Sequence, residues 1–144
     1  MTFTITPAEN ADAAYMPIWA PLLAFNQAAV GDASAVPFAL EIRESPESPV
    51  AGGLWAMSLW GSFYIALVVT PEGARGRGLG SRLMRQAEAE ARARGARQMW
   101  LDTYDFQARP FYERLGFTVF GQIDGPAPMF PRWFMQKLLT DAAA

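Results

Sequence analysis

The run Arg75-Gly76-Arg77-Gly78-Leu79-Gly80-Ser81 constrains this chain more than any other stretch. An almost wholly apolar segment, Ile65 to Val69, precedes it, and a helical pattern follows from about Leu79 to Arg94. A strand that ends in glycines and feeds a helix leaves backbone N–H groups free at the helix N-terminus. Those groups, with the helix dipole, make an anion site. The run lacks the Gly-Lys-Ser/Thr ending of a P-loop, so no lysine reaches a β/γ-phosphate. It is not a dinucleotide fingerprint, because the third glycine of that pattern would fall at Ser81. Taken alone, it also fits a turn that only caps a helix.

Composition narrows the chemistry. At 144 residues, 51% hydrophobic and 18% charged, the chain reads as one ordinary globular domain over 1–144. A net charge of −2 gives no basic field, and no nucleic-acid partner is expected. The segment from Arg75 to Arg97, however, holds seven Arg against Glu88 and Glu90. Glu88/Arg92 and Glu90/Arg94 stand at i,i+4 spacing and read as structural, whereas Arg75 and Arg77 read as functional. With no Cys and no His, thiol nucleophiles, Ser-His-Asp triads and Cys- or His-ligated metals are excluded, and no metal is expected. An acid or base must be a carboxylate, Tyr, Lys, a terminus or water. The first residues lack a basic signal-peptide region and no apolar run is long enough to span a bilayer. The expectation is a soluble, cytoplasmic protein with no membrane partner.

Along the chain, Phe3 and Ile5 alternate with Thr as a short strand. Ala11 to Val30 predicts one or two short helices interrupted by Pro17 and Pro21. Strands are expected at Phe38–Ile42, Val50–Met57, Ser62–Thr70, Gln98–Thr103, Phe117–Ile123 and Trp133–Leu139, with a turn at Trp60-Gly61. Leu83, Ala87 and Ala91 form the apolar stripe of the long helix, and Gln107 to Leu115 predicts a short one. This alternation implies an α/β (α+β) domain with a mixed sheet.

The glycine run is followed about 25 residues later by Gln107-Ala108-x-x-Phe111-Tyr112-x-x-x-Gly116-Phe117. Together the two motifs closely resemble the GNAT superfamily of acyl-CoA-dependent N-acetyltransferases, over roughly residues 36 to 139. Gly52-Gly53-Leu54, Trp60-Gly61, Leu101-Asp102-Thr103, Phe106-Gln107-Ala108 and Lys137-Leu138 are similar to one subfamily, as is Phe25-Asn26. The resemblance implies a central, mostly antiparallel mixed sheet of six to seven strands flanked by about four helices. It implies transfer of an acetyl group from acetyl-CoA (coenzyme A being the product) to a primary amine of a small molecule or protein. A catalytically silent CoA-binding sensor or interaction domain on the same fold is the alternative.

By this resemblance Arg75, Gly76, Arg77, Gly78, Leu79, Gly80 and Ser81 wrap the CoA pyrophosphate. Backbone groups at Val69 and Thr70 take the pantetheine arm, and Tyr112 protonates the departing thiolate. Asp105, where relatives carry a CoA-contacting Asn, reads instead as a helix N-cap or start of a turn. The general base stays open. Ala66 stands where relatives frequently carry a Glu, leaving Glu41, Asp102, Asp124 or a water chain. Trp55, Trp60, Tyr64, Phe130 and Trp133 are candidates to line the acceptor pocket, with the Pro-rich loop 124–131 as its gate. The run Met129 to Leu139 is compatible with a homodimer formed by strand exchange, and equally with a packed edge strand.

Overall fold

The computed structural model describes residues 1–74 and 76–139. They form two compact units, Met1–Ser34 and the described residues from Ala35 onward.

The first unit is built on one helix, α1 (Ala11–Val30). Asn10 caps it, its side chain accepting from the Ala13 N–H at 3.1 Å. Pro17 and Pro21 sit inside α1 without dividing it, contrary to the interrupted helices expected. They stand four residues apart and so share one face. Each removes a single i→i−4 bond, the two losses falling on the carbonyls of Ala13 and Pro17. No strand forms at Phe3–Ile5. Two alternating residues before Pro7 are too few to hold a ladder.

The second unit is a six-stranded sheet of β1 (Val36–Ile42), β2 (Gly52–Leu59), β3 (Ser62–Val69), β4 (Gln98–Tyr104), β5 (Thr118–Ile123) and β6 (Arg132–Leu138), with helices α2 (Leu79–Ala93) and α3 (Arg109–Arg114). The strand order is β1-β2-β3-β4-β6-β5. Only β3 and β4 run parallel; every other neighbouring pair is antiparallel. The architecture is therefore the mixed, mostly antiparallel α/β class expected, with six strands and three α-helices among the described residues. β6 lies inside the sheet, between β4 and β5, not at an edge. Met135 alone of its residues is fully buried, in the core on the α2 face, while Met129, Phe130 and Leu138 remain exposed.

One face of the sheet carries Leu54, Ala56, Phe63, Ile65, Met99, Leu101 and Met135, and α2 lays Leu83, Met84, Ala87 and Ala91 into the same core. The stripe predicted at 83, 87 and 91 is thus the buried one. Arg94, following α2, ties the helix to the sheet edge. Its guanidinium donates to the carbonyls of Val36 at 2.7 Å and Pro37 at 3.1 Å, and to Glu90 at 2.8 Å. It also lies over the rings of Phe38 and Phe63. Among the described residues, no helix is long and apolar enough to cross a membrane.

Candidate functional site

Two irregularities open a fork in the sheet. β3 and β4 pair over only three positions, ending at Tyr64 opposite Trp100. The β2–β3 register then slips. Ala56 faces Ile65 and Trp55 faces Leu67, so Ala66 is the extra residue of a bulge. A bulge bends its strand, and beyond Tyr64 the β4-side edge of β3 has no strand beside it. The sequence located Ala66 as a missing carboxylate; the structure assigns it a backbone function, splaying the strands.

β3 ends at Val69, with Thr70 just past it. The Val69 carbonyl lies against Gly52, close enough that a Cβ there would come within 2.5 Å of it. A 3₁₀ turn, Glu72–Ala74, leads into the glycine run. Arg75 lies outside the described residues. Gly76 and Gly78 adopt φ of 80° and 70°, a left-handed backbone that side-chain-bearing residues rarely take, and a Cβ at either would point into open space. The Arg77 N–H donates to the Ala74 carbonyl at 3.3 Å, so its backbone is engaged while its side chain is exposed.

Gly78 is the N-cap of α2 and supplies no side-chain cap. The first-turn N–H groups of Leu79, Gly80 and Ser81 therefore remain for a ligand. No acid sits in that turn to compete for them. A cleft of about 460 Å³ adjoins the loop, lined by Arg43, Pro71, Gly73, Arg77 and Leu79. This cradle fits a diphosphate: it offers converging donors, an unopposed helix dipole and no Cβ in the way.

Tyr112, on α3, is 9% exposed. Its ring meets Phe111 and Phe117 edge-on at 5.1 and 6.0 Å. No described residue hydrogen-bonds its hydroxyl, and Glu88 Oε1, not this oxygen, is the buried side-chain polar atom without a hydrogen-bond partner among the described residues. Burial first, and the charge of Asp102 second, push its pKa above 10.0, so the group stays protonated. Gly80 carries the donor loop onto this helix, its would-be Cβ only 3.2 Å from the Phe111 ring.

The turn between β4 and α3 is clasped by Gln107, whose Oε1 accepts from the Tyr104 N–H at 2.8 Å and from Thr103 Oγ1 at 3.3 Å. This clasp is the physical content of the Thr103 and Gln107 motif positions. The N-cap of α3 is Ala108, with no side-chain cap, so Asp105 is not a cap. It lies in the turn, where its N–H donates to the Pro131 carbonyl.

All three carboxylates considered as bases have partners. Glu41 pairs with Arg43 at 2.6 Å, and Asp124 accepts from the Gly125 N–H. Asp102 stands two residues past the last β3–β4 pair, at the fork. Arg132 holds it, donating to Oδ2 at 2.7 Å through Nε, with Nη2 also at 2.7 Å. Asp102 acts on both tyrosines. Burial first and Asp102 second raise the pKa of Tyr64, which stacks on Trp100 at 4.1 Å.

Among the aromatic residues considered for the acceptor pocket, Trp133 packs on the core side under Arg109. Phe130 instead joins Phe106 and Tyr104 in a cleft. The Asp102–Arg132 pair joins residues 30 positions apart, and no local pattern in the sequence announces it.

A parallel pair that forks at a bulge, a side-chain-free glycine loop opening a helix, and a tyrosine on α3 make up the candidate site. The chain belongs to the GNAT acetyltransferase family, whose model matches residues 8–117. It is 36% identical over 126 residues to an acetyltransferase of Agrobacterium fabrum, covering 88% of this chain and 90% of that protein. It is 41% identical over 92 residues to blasticidin-S acetyltransferase of Streptomyces morookaense, covering 63% of this chain and 65% of that one. Among solved structures, an acetyltransferase from Agrobacterium tumefaciens superposes with a TM-score of 0.84 at 32% identity, over 96% of this chain and 100% of that chain.

Proposed function

We propose that this protein transfers an acetyl group from acetyl-CoA directly to a primary amine of a small molecule or protein, using residues 1–144 as a single catalytic domain. The family match over residues 8–117 crosses from the first compact unit into the second, which supports the single domain. The observation that carries the mechanism is Tyr112, with a buried ring and a hydroxyl that no described residue bonds.

Gly76, Gly78 and the first-turn amides of Leu79, Gly80 and Ser81 hold the pyrophosphate, with Arg75 and Arg77 adding charge. The pantetheine arm runs along the free edge of β3, ending at Val69 and Thr70. The neutral amine attacks the thioester carbonyl carbon in the fork, and a C–N bond forms. Collapse of the tetrahedral adduct breaks the C–S bond. The electron pair leaves on sulfur, and the thiolate takes the Tyr112 proton. The amine's surplus proton goes to water, from which Tyr112 is recharged. A phenol with a raised pKa is a reluctant acid. Its service is a full-strength hydrogen bond to sulfur as charge develops there, completed by transfer.

The donor is drawn from the cytoplasmic acetyl-CoA pool, and a cytoplasmic location goes with it. A homodimer is part of the same proposal, supported by the exposed apolar residues Val119 and Phe120 on the outermost strand β5. CoA release across a panel of amines tests the whole. The wild type is expected to release CoA with at least one amine, and Tyr112→Phe to slow turnover about 10²-fold or more at unchanged acetyl-CoA affinity. CoA binding with no release from any amine would instead establish the silent-sensor alternative.

A further inference from the structure

The residues around the fork also bear on the acceptor. Tyr104, Phe106, Phe130, Met129, Ile123 and Arg132 line a cleft of about 420 Å³, within the range of roughly 300–1,000 Å³ typical of small-molecule sites. Its rings are organised. Tyr104 and Phe106 stack at 5.6 Å and 14°, and Phe130 meets Phe106 edge-on at 4.9 Å and 72°. Phe106 and Phe130 nevertheless remain 64% and 56% exposed. Ordered, half-bare aromatic rings present flat apolar surface that a second flat body can cover.

The polar end of this cleft is specific. Arg132 lines it, but both its Nε and Nη2 are spent on Asp102 Oδ2, and its plane lies over Tyr104 and Phe134. Its charge is therefore already matched by Asp102. The Tyr64 side chain also hydrogen-bonds the Asp102 carboxylate, and Asp102 stands at the mouth of the fork, two residues before Tyr104 on the same face of β4.

Resting on the acyltransferase reading, we propose that this cleft selects an amine carried on a flat apolar or aromatic body, with the ring against Phe106 and Phe130 and the ammonium against Asp102. Acceptors bearing a carboxylate next to the amine are disfavoured, because the one cation lining the cleft is already paired.

The test uses the full chain loaded with CoA and two primary amines of similar basicity, 2-phenylethylamine and 5-amino-1-pentanol. Calorimetry reads binding, and CoA release from acetyl-CoA reads transfer. The aromatic amine is expected to bind about tenfold more tightly. Phe106→Ala and Phe130→Ala should each erode that preference at unchanged acetyl-CoA affinity, while Asp102→Asn weakens both amines alike. Both phenylalanines are surface residues, so the variants should retain the wild-type melting temperature. Equal affinities, failure of both amines to bind, or a preference that survives both phenylalanine substitutions would each overturn the cleft assignment. Selective binding without CoA release supports the cleft and refutes acyl transfer. Release without selectivity supports transfer and refutes the cleft.

Discussion

The Phe111 ring stands 3.2 Å from the point where a Cβ on Gly80 would lie. The first turn of α2, which receives the donor phosphate in the proposed mechanism, therefore rests directly on the residue before Tyr112. The two motifs that resemble the family are one packed object. Their separation in sequence is the length of α2 and β4 needed to bring the chain back.

Gly80→Ala and Gly80→Val should separate. Alanine gains helix propensity, at most about 1 kcal/mol, and asks the Phe111 ring to give by only a few tenths of an ångström. Its stability should stay within about 1 kcal/mol of wild type. Valine adds two methyls into the same contact, and overpacking of that kind costs about 1–3 kcal/mol. Thermal melts read the stability difference, and acetyl-CoA titration should find the valine variant weaker by about tenfold or more.

Tyr112 predicts a pH signature. Its folded pKa lies above 10.0, raised by burial and then by Asp102, against about 10 in the unfolded chain. The native state therefore holds the proton more tightly. The associated stability is fully present below pH 10 and is lost as pH rises through the folded value. Urea unfolding of wild type and Tyr112→Phe should run parallel from pH 6 to 9. Above about pH 10 the wild type alone should show this extra loss.

The Asp102–Arg132 pair should matter more to activity than to folding. Arg132 keeps 34% of its side chain in water, which screens the interaction. The Asp102 side chain is only 14% exposed, so the charge must stay beside it: Arg132→Lys, which keeps the cation and loses the planar fork, should cost no more than about 1 kcal/mol. It loosens the clamp on Asp102, so KM for the amine should change while acetyl-CoA affinity does not.

Arg94 presents the opposite case. It joins α2 to β1 through carbonyls, Glu90 and two rings, and its side chain is 19% exposed. Arg94→Ala should destabilise by about 1–3 kcal/mol. Acetyl-CoA affinity should survive in the folded fraction, because α2 puts about 22 Å between Arg94 and the glycine loop.

Much of the fold was legible from periodicity. The apolar alternation in β3, β4 and β6 and the 83/87/91 stripe of α2 are local patterns dictated by one buried face. Pro17 and Pro21 misled because a proline reports a lost hydrogen bond, and two losses on one face do not end a helix whose other bonds persist. Phe3 and Ile5 misled because alternation says nothing about whether a partner strand exists. The donor side of the site was legible because it is made of consecutive residues, Gly76 to Ser81. The acceptor side was not. Asp102 meets Arg132, and Tyr104 meets Phe106 and Phe130, only after β4 and β6 have paired and the 124–131 loop has closed over them. Ala66 was noticed as a missing acid, while its bulge is a property of register that one strand alone cannot express.

The most direct measurement is a side-by-side titration of acetyl-CoA, ATP and NAD into wild type and Gly78→Val. Acetyl-CoA alone should bind with micromolar affinity. Gly78→Val, forced to put a branched side chain at φ 70° in the cradle, should lose at least tenfold. Tight binding of ATP or NAD without acetyl-CoA, or acetyl-CoA affinity untouched by Gly78→Val, would contradict a CoA pyrophosphate at the glycine loop.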